Sequence, residues 1–573
     1  MGQCIVPVLN QILAQLLPRL QPNTAPPPDY YANNLLAVVS HVLRHHDDLL
    51  GAAKAYAQTV MQLSADGGRL LARLIMRTTA CIRLDSLNYN EIVHLESALQ
   101  ELLDGALIQL NPAVAAEQLL QRIKVAELKM LFPESVGGTA RKSDLVERIL
   151  TTYTDTFIRT RCAAQVPWLT HDSQRHLKRV QLVYFGDLYR NLTEFVVRDL
   201  GISAFEHYAL GASSRAFAND VEVSAYLDLT ALQRLPSNRR SAALNWLLQQ
   251  QTVRSRELEN RSLLRRRDKL LNDWGRDFER TDQTTEAHLC YLQSTSHPAR
   301  ERRARLYAKE AATKECGLLL SQMCSEPWSM EEQLFAQRFT TQGRTRRQSS
   351  VVWQETEWTV PTPQLTDVEL RTGQLLTRNG GRAWHTENSL LLTLLGLVFW
   401  DILFCPEPGM FTHPFQSGPR DLYWPDFRRR RQQAIAARLA QCADTNALWA
   451  QIADTVSSKF GLSCRLVSWN LVAHNNGEIL DAVRTCFTSA QLVSLFDYML
   501  NDLGQVRNGM PDLFVAYGGR RFELVEVKGP SDQLQPNQRV WLRQLCELGI
   551  PCRVVKHRYI ARKSGANSGA SRL

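Results

Sequence analysis

The sequence lacks the cysteine pairs that mark common zinc and redox sites. Its 12 cysteines are scattered along 573 residues, and no two are spaced as C-x-x-C. That spacing is typical of zinc fingers and of thiol-disulfide oxidoreductases, so the sequence argues against both classes. Scattered free thiols favour a reducing compartment.

Long apolar runs are also missing. The most apolar stretch, residues 390–400, is followed by Asp401 and is too short to cross a hydrocarbon core of about 30 Å. The first residues lack the basic segment and apolar core of an export signal. We therefore expect a cytoplasmic protein with no membrane anchor.

The composition is that of an ordinary globular protein, with 44% hydrophobic and 22% charged residues. The length predicts roughly three or four domains. A formal net charge of +10 suits a polyanionic partner such as DNA, although charge dispersed over the surface would give the same total.

The clearest chemical pattern lies in residues 509–530. Alternating apolar residues predict two strands joined by a turn at Gly518-Gly519. On the second strand, Glu526 and Lys528 are two residues apart and therefore share one face. A carboxylate and an ammonium group are thus expected side by side on an apolar strand.

The pairing of these strands decides which acids meet. If Tyr517 pairs with Arg521 across a three-residue loop, Asp512 lies directly opposite Glu526, with the Cβ atoms about 5 Å apart. Two acids that close repel each other unless a divalent cation lies between them. Oxygen ligands suit Mg²⁺ or Mn²⁺, and a lysine beside them can hold the attacking water.

This Pro-Asp, gap, Glu-x-Lys pattern resembles the core of the PD-(D/E)xK nucleases. Taken alone it is a weak signal, because a surface hairpin with a solvated ion pair gives the same residues. The apolar strands, with the charges on one face, favour the nuclease interpretation.

Earlier segments are predicted to be helical. Residues 1–118 are predicted to be a helical region, and their pattern indicates no function. Residues 119–155 resemble a SAP domain, a helix-linker-helix module that binds DNA, although any helical hairpin would look similar. In a SAP domain, Arg141 and Lys142 would contact phosphates at the start of a helix capped by Ser143.

Residues 156–345 form the basic helical region. Its arginines outnumber the nearby acids, which favours contact with a phosphate backbone over a solvated face. The arrangement of short helices is tetratricopeptide-like, although no repeat of about 34 residues is visible. The candidate DNA-binding arginines of this region are Arg265, Arg266, Arg302 and Arg303.

The C-terminal part is divided into a connector at 346–382, a nuclease domain at 383–562 and a disordered tail at 563–573. Thr386 is expected to cap a helix with Glu387 in its first turn, where an acid is favourable without any chemistry. Residues 464–469 are predicted to be a strand. Helix, strands, helix and strand in this order indicate an α/β restriction-endonuclease-like core.

Several motifs in order resemble the Fanconi-associated nuclease family, whose catalytic module is called VRR-NUC. They are His385-Thr386-Glu387-x-Ser389, residues 395–404, Pro419-x-Asp421-Leu422, residues 466–469, Gly509-x-Pro511-Asp512-Leu513, and residues 524–534 followed by Gln538 and Trp541-Leu542. The SAP-like module, the tetratricopeptide-like helices and the nuclease domain also follow in the family's order.

The resemblance implies a multidomain protein, mostly helical before its α/β nuclease domain. It implies a structure-specific endo- or exonuclease that cuts 5′ flaps and branched DNA in interstrand crosslink repair. One or two Mg²⁺ or Mn²⁺ ions would serve the hydrolysis, which leaves a 5′-phosphate and a 3′-hydroxyl. The implied site consists of the metal ligands Glu387, Asp512, Glu526 and the Val527 carbonyl, the water-positioning Lys528, and the supporting Gln538.

The sequence departs from animal members at two places. They carry basic residues where this chain has Gln533 and Asn537, so a 5′-phosphate pocket is expected to be weaker or to use Arg302, Arg303 or Arg507. The missing zinc finger indicates a bacterial-type member acting at the nucleoid. A Holliday-junction resolvase-like nuclease and a catalytically silent branch-binding scaffold remain as alternatives.

Overall fold

The computed structural model describes residues 29–560, except 78, 80, 136–140, 172–174, 191–203, 212–213, 250–259, 342–352 and 362–367. Helices dominate up to residue 341, and a five-stranded sheet with surrounding helices follows, so the predicted fold class is confirmed. Among the described residues, no helix combines the length and apolar character that a membrane span needs. The tail at 563–573 lies outside the described residues.

The first region contains nine helices and a small sheet within the described residues. The strands pair in the order β1-β3-β2, and both pairings are antiparallel. The elements are α1 (Tyr30–His45), α2 (Ala53–Met61), α3 (Ala65–Ile75), β1 (Ile82–Arg83), α4 (Leu95–Asp104), β2 (Ile108–Leu110), α5 (Ala116–Leu120), α6 (Val125–Leu131), α7 (Lys142–Thr152), α8 (Asp155–Ala163), β3 (Trp168–His171) and α9 (His176–Phe185).

The SAP-like segment contains the helices α6 and α7, and residues 136–140 between them, with the predicted Gly-Gly break, lie outside the described residues. Helix α7 begins two residues earlier than predicted, with Arg141 rather than Ser143 at the capping position. The Asp144 carboxylate accepts a hydrogen bond from the Arg141 backbone N–H and so closes the first turn. The assignment of this segment to a SAP domain stays a prediction.

The basic region continues as seven helices within the described part of the chain. From α12 to α16, each helix packs against the next, as expected for a solenoid. The helices are α10 (Asp220–Leu232), α11 (Arg240–Gln249), α12 (Arg261–Arg280), α13 (Thr284–Gln293), α14 (Ala299–Lys309), α15 (Thr313–Ser325) and α16 (Met330–Thr341).

The C-terminal part carries the larger sheet. Its elements are β4 (Gln354–Pro361), α17 (Val368–Arg378), β5 (Arg382–His385), α18 (Leu390–Val398), α19 (Trp400–Leu403), α20 (Phe427–Arg430), α21 (Gln432–Gln441), α22 (Thr445–Lys459), α23 (Trp469–Ala473), α24 (Glu478–Cys486), α25 (Ser489–Asn501), α26 (Leu503–Val506), β6 (Leu513–Ala516), β7 (Phe522–Lys528), α27 (Pro536–Glu547) and β8 (Cys552–Ile560).

The five strands lie in the order β4-β8-β7-β6-β5. Strands β4, β8 and β7 are parallel, whereas β6 and β5 run antiparallel to their neighbours. One face packs Val525 and Val527 with Leu376 of α17. The other packs Phe514 and Leu524 with Trp541 of α27. The hairpin is therefore buried on both faces.

The segment interpreted as a connector contributes to this sheet. Within residues 346–382, β4 pairs along its whole length with β8, and α17 covers one sheet face. Pro361, which would break a helix, is tolerated at the end of β4. Strand β4 lies at the edge of the sheet, where one side of the backbone needs no hydrogen-bond partner. The other domain divisions stay predictions.

The strand predicted at 464–469 is wrong. This stretch is a turn that leads into α23, and the Ser468 hydroxyl accepts a hydrogen bond from the Leu471 N–H at 3.4 Å. Its apolar side chains pack on helix α18, where a Cβ on Gly396 would lie 2.6 Å from the Val467 side chain. Burial against a helix thus replaces the strand pairing that the apolar pattern had indicated.

Candidate active site

The register predicted for the central hairpin is confirmed. The Tyr517 N–H donates to the Arg521 carbonyl at 2.9 Å, and Leu513 pairs with Val525. Because side chains alternate along each strand, this register places Asp512 directly opposite Glu526. The two acids lie on the face of the sheet that packs against α27.

Glu526 is the most deeply buried acid of the site, at 1% exposed. Its Oε1 atom accepts a hydrogen bond from Gln538 Nε2 at 2.6 Å and lies 2.9 Å from Lys528 Nζ. Its Oε2 atom is buried and has no hydrogen-bond partner among the described residues. A buried carboxylate oxygen without a partner is unfavourable unless a cation or water completes it.

Asp512 is 5% exposed and is held by the backbone of the opposite strand. Its Oδ2 atom accepts a hydrogen bond from the Val527 N–H at 2.7 Å. That bond ties the Asp512 carboxylate to strand β7, next to Glu526. The hairpin therefore brings together four of the predicted site residues: Asp512, Glu526, Val527 and Lys528.

Burial and mutual repulsion shift both acids toward their protonated forms. Burial raises the pKa of Asp512 to about 6, with a further contribution from the charges of Glu369 and Glu387. Burial and the neighbouring Asp512 raise the pKa of Glu526 to about 8, against the opposing effect of Lys528. Carboxyl groups that resist ionisation in the metal-free protein are expected where a cation normally balances their charge.

Glu387 reaches this site through β5, far away along the chain. Strand β5 pairs with β6, so His385 faces Leu513, and the Thr386 N–H donates to the Asp512 carbonyl at 2.8 Å. The next residue, Glu387, is therefore adjacent to Asp512. The structure brings all three predicted carboxylates together.

The local structure around Glu387 differs from the prediction. Helix α18 begins at Leu390, after the acid, so Thr386 does not cap it and Glu387 does not lie in its first turn. Glu387 instead occupies a turn in which Asn388 has a φ of 47° and donates to Glu387 Oε1 at 3.0 Å. The β5–β6 pairing continues through Thr386 and delays the start of the helix.

Gly509 allows the loop before Asp512 to lie against α27. It has a φ of 90°, and a Cβ there would lie 3.0 Å from the Asn537 carbonyl carbon. A side chain at this position would force the start of α27 away. Because that turn carries Gln538, the glycine protects the contact between Gln538 and Glu526.

Two residues near the acids were missed by the sequence interpretation. Glu369 lies in the first turn of α17, and its Oε2 atom is 2.5 Å from His385 Nε2. Glu369, His385 and Glu387 each offer one ligand atom within 4.8 Å of the others. His385 was visible in the His-Thr-Glu motif, but no local pattern distinguishes Glu369 from any other first-turn acid.

The residues at the hairpin fit a divalent cation. Their donor set is made of carboxylate oxygens and a backbone carbonyl, which hard divalent ions prefer. The unpartnered Glu526 Oε2 and the raised pKa values of both acids agree with this fit. Asp512, Glu526 and the Val527 carbonyl would hold the ion, together with Glu387.

Gln538 is expected to support the site by holding Glu526. Replacing it with alanine removes the 2.6 Å bond to Oε1 and should weaken divalent-ion affinity by about 10- to 100-fold, as for other residues that orient a metal ligand. Isothermal titration with Mn²⁺ would measure the change. Gln533→Ala, at an exposed glutamine on the preceding loop, is the matched control; equal affinities in both variants would contradict the role.

Several candidate DNA-binding residues make contacts within the protein. Lys142 Nζ donates to the Gln121 carbonyl at 2.8 Å. The Arg302 guanidinium forms a two-pronged ion pair with Glu279, which neutralises its charge. Arg303 donates to the Tyr307 hydroxyl at 3.0 Å. These contacts reduce what the side chains can offer to phosphates, and their assignment stays a prediction.

Other candidates lie over aromatic rings. The Arg265 and Arg507 guanidinium carbons are 4.8 Å from the Trp424 ring centre and 4.5 Å from the Tyr423 ring centre, respectively. Arg266 lies 4.3 Å from the Tyr226 ring centre. Arg141, Arg265 and Arg507 are exposed. A stacked arginine keeps its hydrogen-bond donors at the ring edge, so Arg265 and Arg507 remain able to bind phosphate.

A cleft of about 620 Å³ lies between helices of the basic region and helices of the C-terminal part. Helices α14 and α16 form one wall, and α26 and α27 form the other. Among the described residues, the arginines lining it are Arg305 and Arg338, rather than the predicted Arg302, Arg303 and Arg507. Asn537 and Trp541 of α27 also line it, so the cleft adjoins the helix that carries Gln538.

Comparison with known families identifies two segments. Residues 445–558 match the VRR-NUC domain, and residues 29–109 match a domain described as FAN1, HTH domain. The second match assigns a family domain to the N-terminal region, for which the sequence pattern had indicated no function. The VRR-NUC match contains Asp512, Glu526 and Lys528. Glu387 lies before the first matched residue, so only the pairing of β5 with β6 connects this carboxylate to the other two.

Relatives and solved structures match over nearly the whole chain. The Fanconi-associated nuclease 1 homolog of Pseudomonas aeruginosa is 30% identical over 92% of this chain and 96% of its own length. Fanconi-associated nuclease 1 of Homo sapiens is 25% identical over 92% of this chain and 62% of its own length. A crystal structure of paFAN1 bound to 2-nucleotide 5′-flap DNA with a gap aligns with a TM-score of 0.81 at 28% identity, covering 94% of this chain and all of that one.

The separate lines agree on one family. The match to the Pseudomonas protein covers more than nine-tenths of both chains, the nuclease domain model covers the hairpin, and the fold superimposes over almost the entire length. The buried Asp512 and Glu526 lie on the matched hairpin, and Lys528 is paired with Glu526. This chain belongs to the Fanconi-associated nuclease family.

Proposed function

We propose that this protein is a structure-specific nuclease that cleaves DNA at 5′ flaps and branches, using Mg²⁺ or Mn²⁺, and acts at the nucleoid in interstrand crosslink repair. The observation that carries the proposal is the buried Asp512–Glu526 pair with Lys528, in a chain that aligns throughout with a flap-bound structure. The flap DNA in that structure is bound to paFAN1, and we extend this kind of DNA to the present chain as its substrate.

The catalytic roles are assigned by position. Glu387, Asp512 and Glu526 hold the cation together with the Val527 carbonyl. When bound, the cation supplies a polarised water and neutralises charge on the phosphate. Mg²⁺ and Mn²⁺ are the ions best suited to this oxygen-rich donor set.

Lys528 positions the attacking water. Its ammonium is held 2.9 Å from Glu526 Oε1, and the side chain is largely buried, so its place is defined before substrate arrives. An ammonium at this place orients the water and offsets negative charge that develops on the phosphate oxygens. Attack on phosphorus opposite the 3′-oxygen leaves a 5′-phosphate and a 3′-hydroxyl.

The DNA is expected to cross the face where the helical region meets the nuclease sheet. The cleft beside α27 contains Arg305 and Arg338, and also Glu301 and Glu331, of which Glu301 pairs with Arg305 at 3.0 Å. Arg265 and Arg507 are exposed, and phosphate contacts from such residues orient a duplex without reading its sequence. Arg141 at the start of α7 is a further candidate on the SAP-like segment.

A panel of end-labelled DNAs tests the proposal. With Mg²⁺ or Mn²⁺, we expect cleavage near the junction of a 5′ flap at a rate at least about tenfold above that of plain duplex, a preference of about 1.4 kcal/mol. Preferential, symmetric cuts in a Holliday junction by a dimer would instead favour the resolvase alternative. Branch binding without cleavage of any substrate would favour the silent scaffold.

A further inference from the structure

We propose that Cys546 and Cys552 form a reversible disulfide when the protein meets a hydroperoxide, and that this bond fixes helix α27 to strand β8. The proposal stands apart from the proposed nuclease function, because it concerns two thiols that the candidate metal site does not use. It assigns a modification site to the one pair of described cysteines whose sulfur atoms are in contact.

The two thiols lie on either side of a tight turn. Cys546 is in the last turn of α27, and Cys552 is the first residue of β8. Their Sγ atoms are 3.5 Å apart. A disulfide bond is about 2.05 Å long, so the sulfur atoms have to approach each other by about 1.5 Å. A movement of this size is within the reach of a side-chain rotation.

The backbone of the turn holds both cysteines in place. At its start, the Gly549 N–H donates to the Cys546 carbonyl at 3.0 Å, and Gly549 has a φ of 64°, the left-handed conformation that commonly follows a helix. At its end, the Leu524 N–H of β7 donates to the Pro551 carbonyl at 2.9 Å and so anchors the residue before Cys552. The fold therefore brings the thiols together before any bond forms.

The surroundings distinguish the two thiols. Cys552 Sγ donates to the Leu542 carbonyl at 3.6 Å. Burial, together with the neighbouring Cys546 thiol, raises the pKa of Cys552. Cys552 therefore keeps its proton, and Cys546 is the thiol that reacts first, because the thiolate is the reacting form. Both side chains are only partly buried, which leaves them open to a small oxidant.

The reaction consumes one hydroperoxide for each disulfide. The Cys546 sulfur attacks a peroxide oxygen, the O–O bond breaks, and the Cys546 proton passes to the leaving oxygen, which gives a sulfenic acid and an alcohol or water. The Cys552 sulfur then attacks the sulfenic sulfur, the S–O bond breaks, and the hydroxyl leaves as water with the Cys552 proton. The two thiols thus supply the two electrons that reduce the peroxide. A dithiol reductant reverses the bond by exchange.

Packing alone would also bring two thiols into contact, because free cysteine is often buried as a small apolar residue. Cys290 and Cys442 are buried in this way, each within an apolar core cluster. Cys546 and Cys552 differ from them in two respects: they are partly exposed, and they meet each other across a turn that joins consecutive elements. This placement favours a reactive pair.

The bond stabilises the helix that supports the candidate metal site. Helix α27 carries Gln538, which holds Glu526, and packs Trp541 against the sheet. A disulfide between Cys546 and Cys552 closes the short loop from this helix to β8 and restricts the unfolded chain. We expect the thermal midpoint of the oxidised protein to lie at least about 3 °C above that of the reduced protein.

One tryptic peptide reports the bond directly. Residues 544–553 follow Arg543, end at Arg553 and contain both cysteines. The reduced full-length protein is treated with hydrogen peroxide, the remaining thiols are alkylated with iodoacetamide, and the peptide is analysed by mass spectrometry. We expect most of this peptide to carry no alkyl group and to be two hydrogen atoms lighter than the dithiol form. Dithiothreitol before alkylation should restore two alkylated cysteines.

Two variants connect the bond to the thermal shift. Cys546→Ser should leave Cys552 alkylated after peroxide treatment and should abolish the rise in thermal midpoint. Cys405→Ser, at an exposed cysteine with no sulfur contact in the described part of the chain, is the matched control and should keep both the disulfide and the shift. Circular dichroism establishes that each variant is folded.

Two results would overturn the disulfide: a peptide still alkylated at both cysteines after peroxide treatment, or Cys546 oxidised to a sulfinic acid while Cys552 stays free. A disulfide that forms without raising the thermal midpoint would overturn its role in holding α27. The proposed nuclease function is tested separately, by flap cleavage with the reduced protein, so either proposal can fail without the other.

Discussion

Asp512→Ala is expected to abolish cleavage of a 5′-flap substrate, with a loss of at least about 1000-fold in the single-turnover rate, because losing a metal ligand removes several kcal/mol of transition-state stabilisation. Lys528→Ala should lower the cleavage rate by a comparable factor, because the variant no longer positions the attacking water. Both side chains are almost wholly buried at the active site, so binding of the DNA duplex arms should survive. Quenched-flow cleavage and fluorescence anisotropy measure the two properties separately.

The matched control for this experiment is Glu547→Ala, at an exposed acid on α27. It changes the charge of the same domain without touching the hairpin and should cleave like the wild type. Cleavage by Asp512→Ala at the wild-type rate would contradict the assignment of the active site. Loss of flap binding together with cleavage would instead assign Asp512 a structural role.

The stability of the metal-free protein should fall as pH rises, and Glu526 is the main reason. In the folded state its pKa is about 8, above the ordinary value of 4.5. Between these values the folded protein keeps a proton that the unfolded chain has released, so protons favour folding. This contribution is lost progressively from about pH 4.5 to pH 8, at roughly 1.4 kcal/mol per pKa unit.

Comparing the wild type with Glu526→Gln isolates this effect. The variant cannot ionise at this position, so its urea midpoint should fall less between pH 5 and pH 9 than that of the chelator-treated wild type. The difference between the two proteins should reach several kcal/mol, since the shift spans more than three pKa units. Parallel pH dependences would contradict the raised pKa. Saturating Mn²⁺ at pH 9 should raise the urea midpoint of the wild type more than that of Glu526→Gln, because the ion binds the folded wild type.

The active-site hairpin could be predicted because its signals are local. A short loop sets the pairing of Tyr517 with Arg521, and the alternation of strand residues then determines which side chains face each other. Apolar alternation was a poorer guide at residues 464–469, where the same residue types pack on α18. A short apolar run does not reveal whether its burial comes from a strand or a helix.

Residues 346–382 show a different limit. Proline-rich breaks indicated a connector, yet the described part supplies the edge strand β4 and helix α17. Strand β4 pairs with β8, which lies about 200 residues later in the chain. A single sequence does not show which distant strand a segment will pair with. The prediction therefore recognised the break in helical structure but not the sheet that the segment completes.

The sequence by itself determined the helical and α/β composition, the family resemblance, and a hairpin in which Asp512 faces Glu526 beside Lys528. Only the tertiary structure decided how Glu387 reaches them, through the pairing of β5 with β6, and that Glu369 and His385 lie alongside. The division follows from physics. Periodicity and turn length act between neighbours in the chain, whereas strand order and helix packing depend on burying surfaces that are remote in sequence.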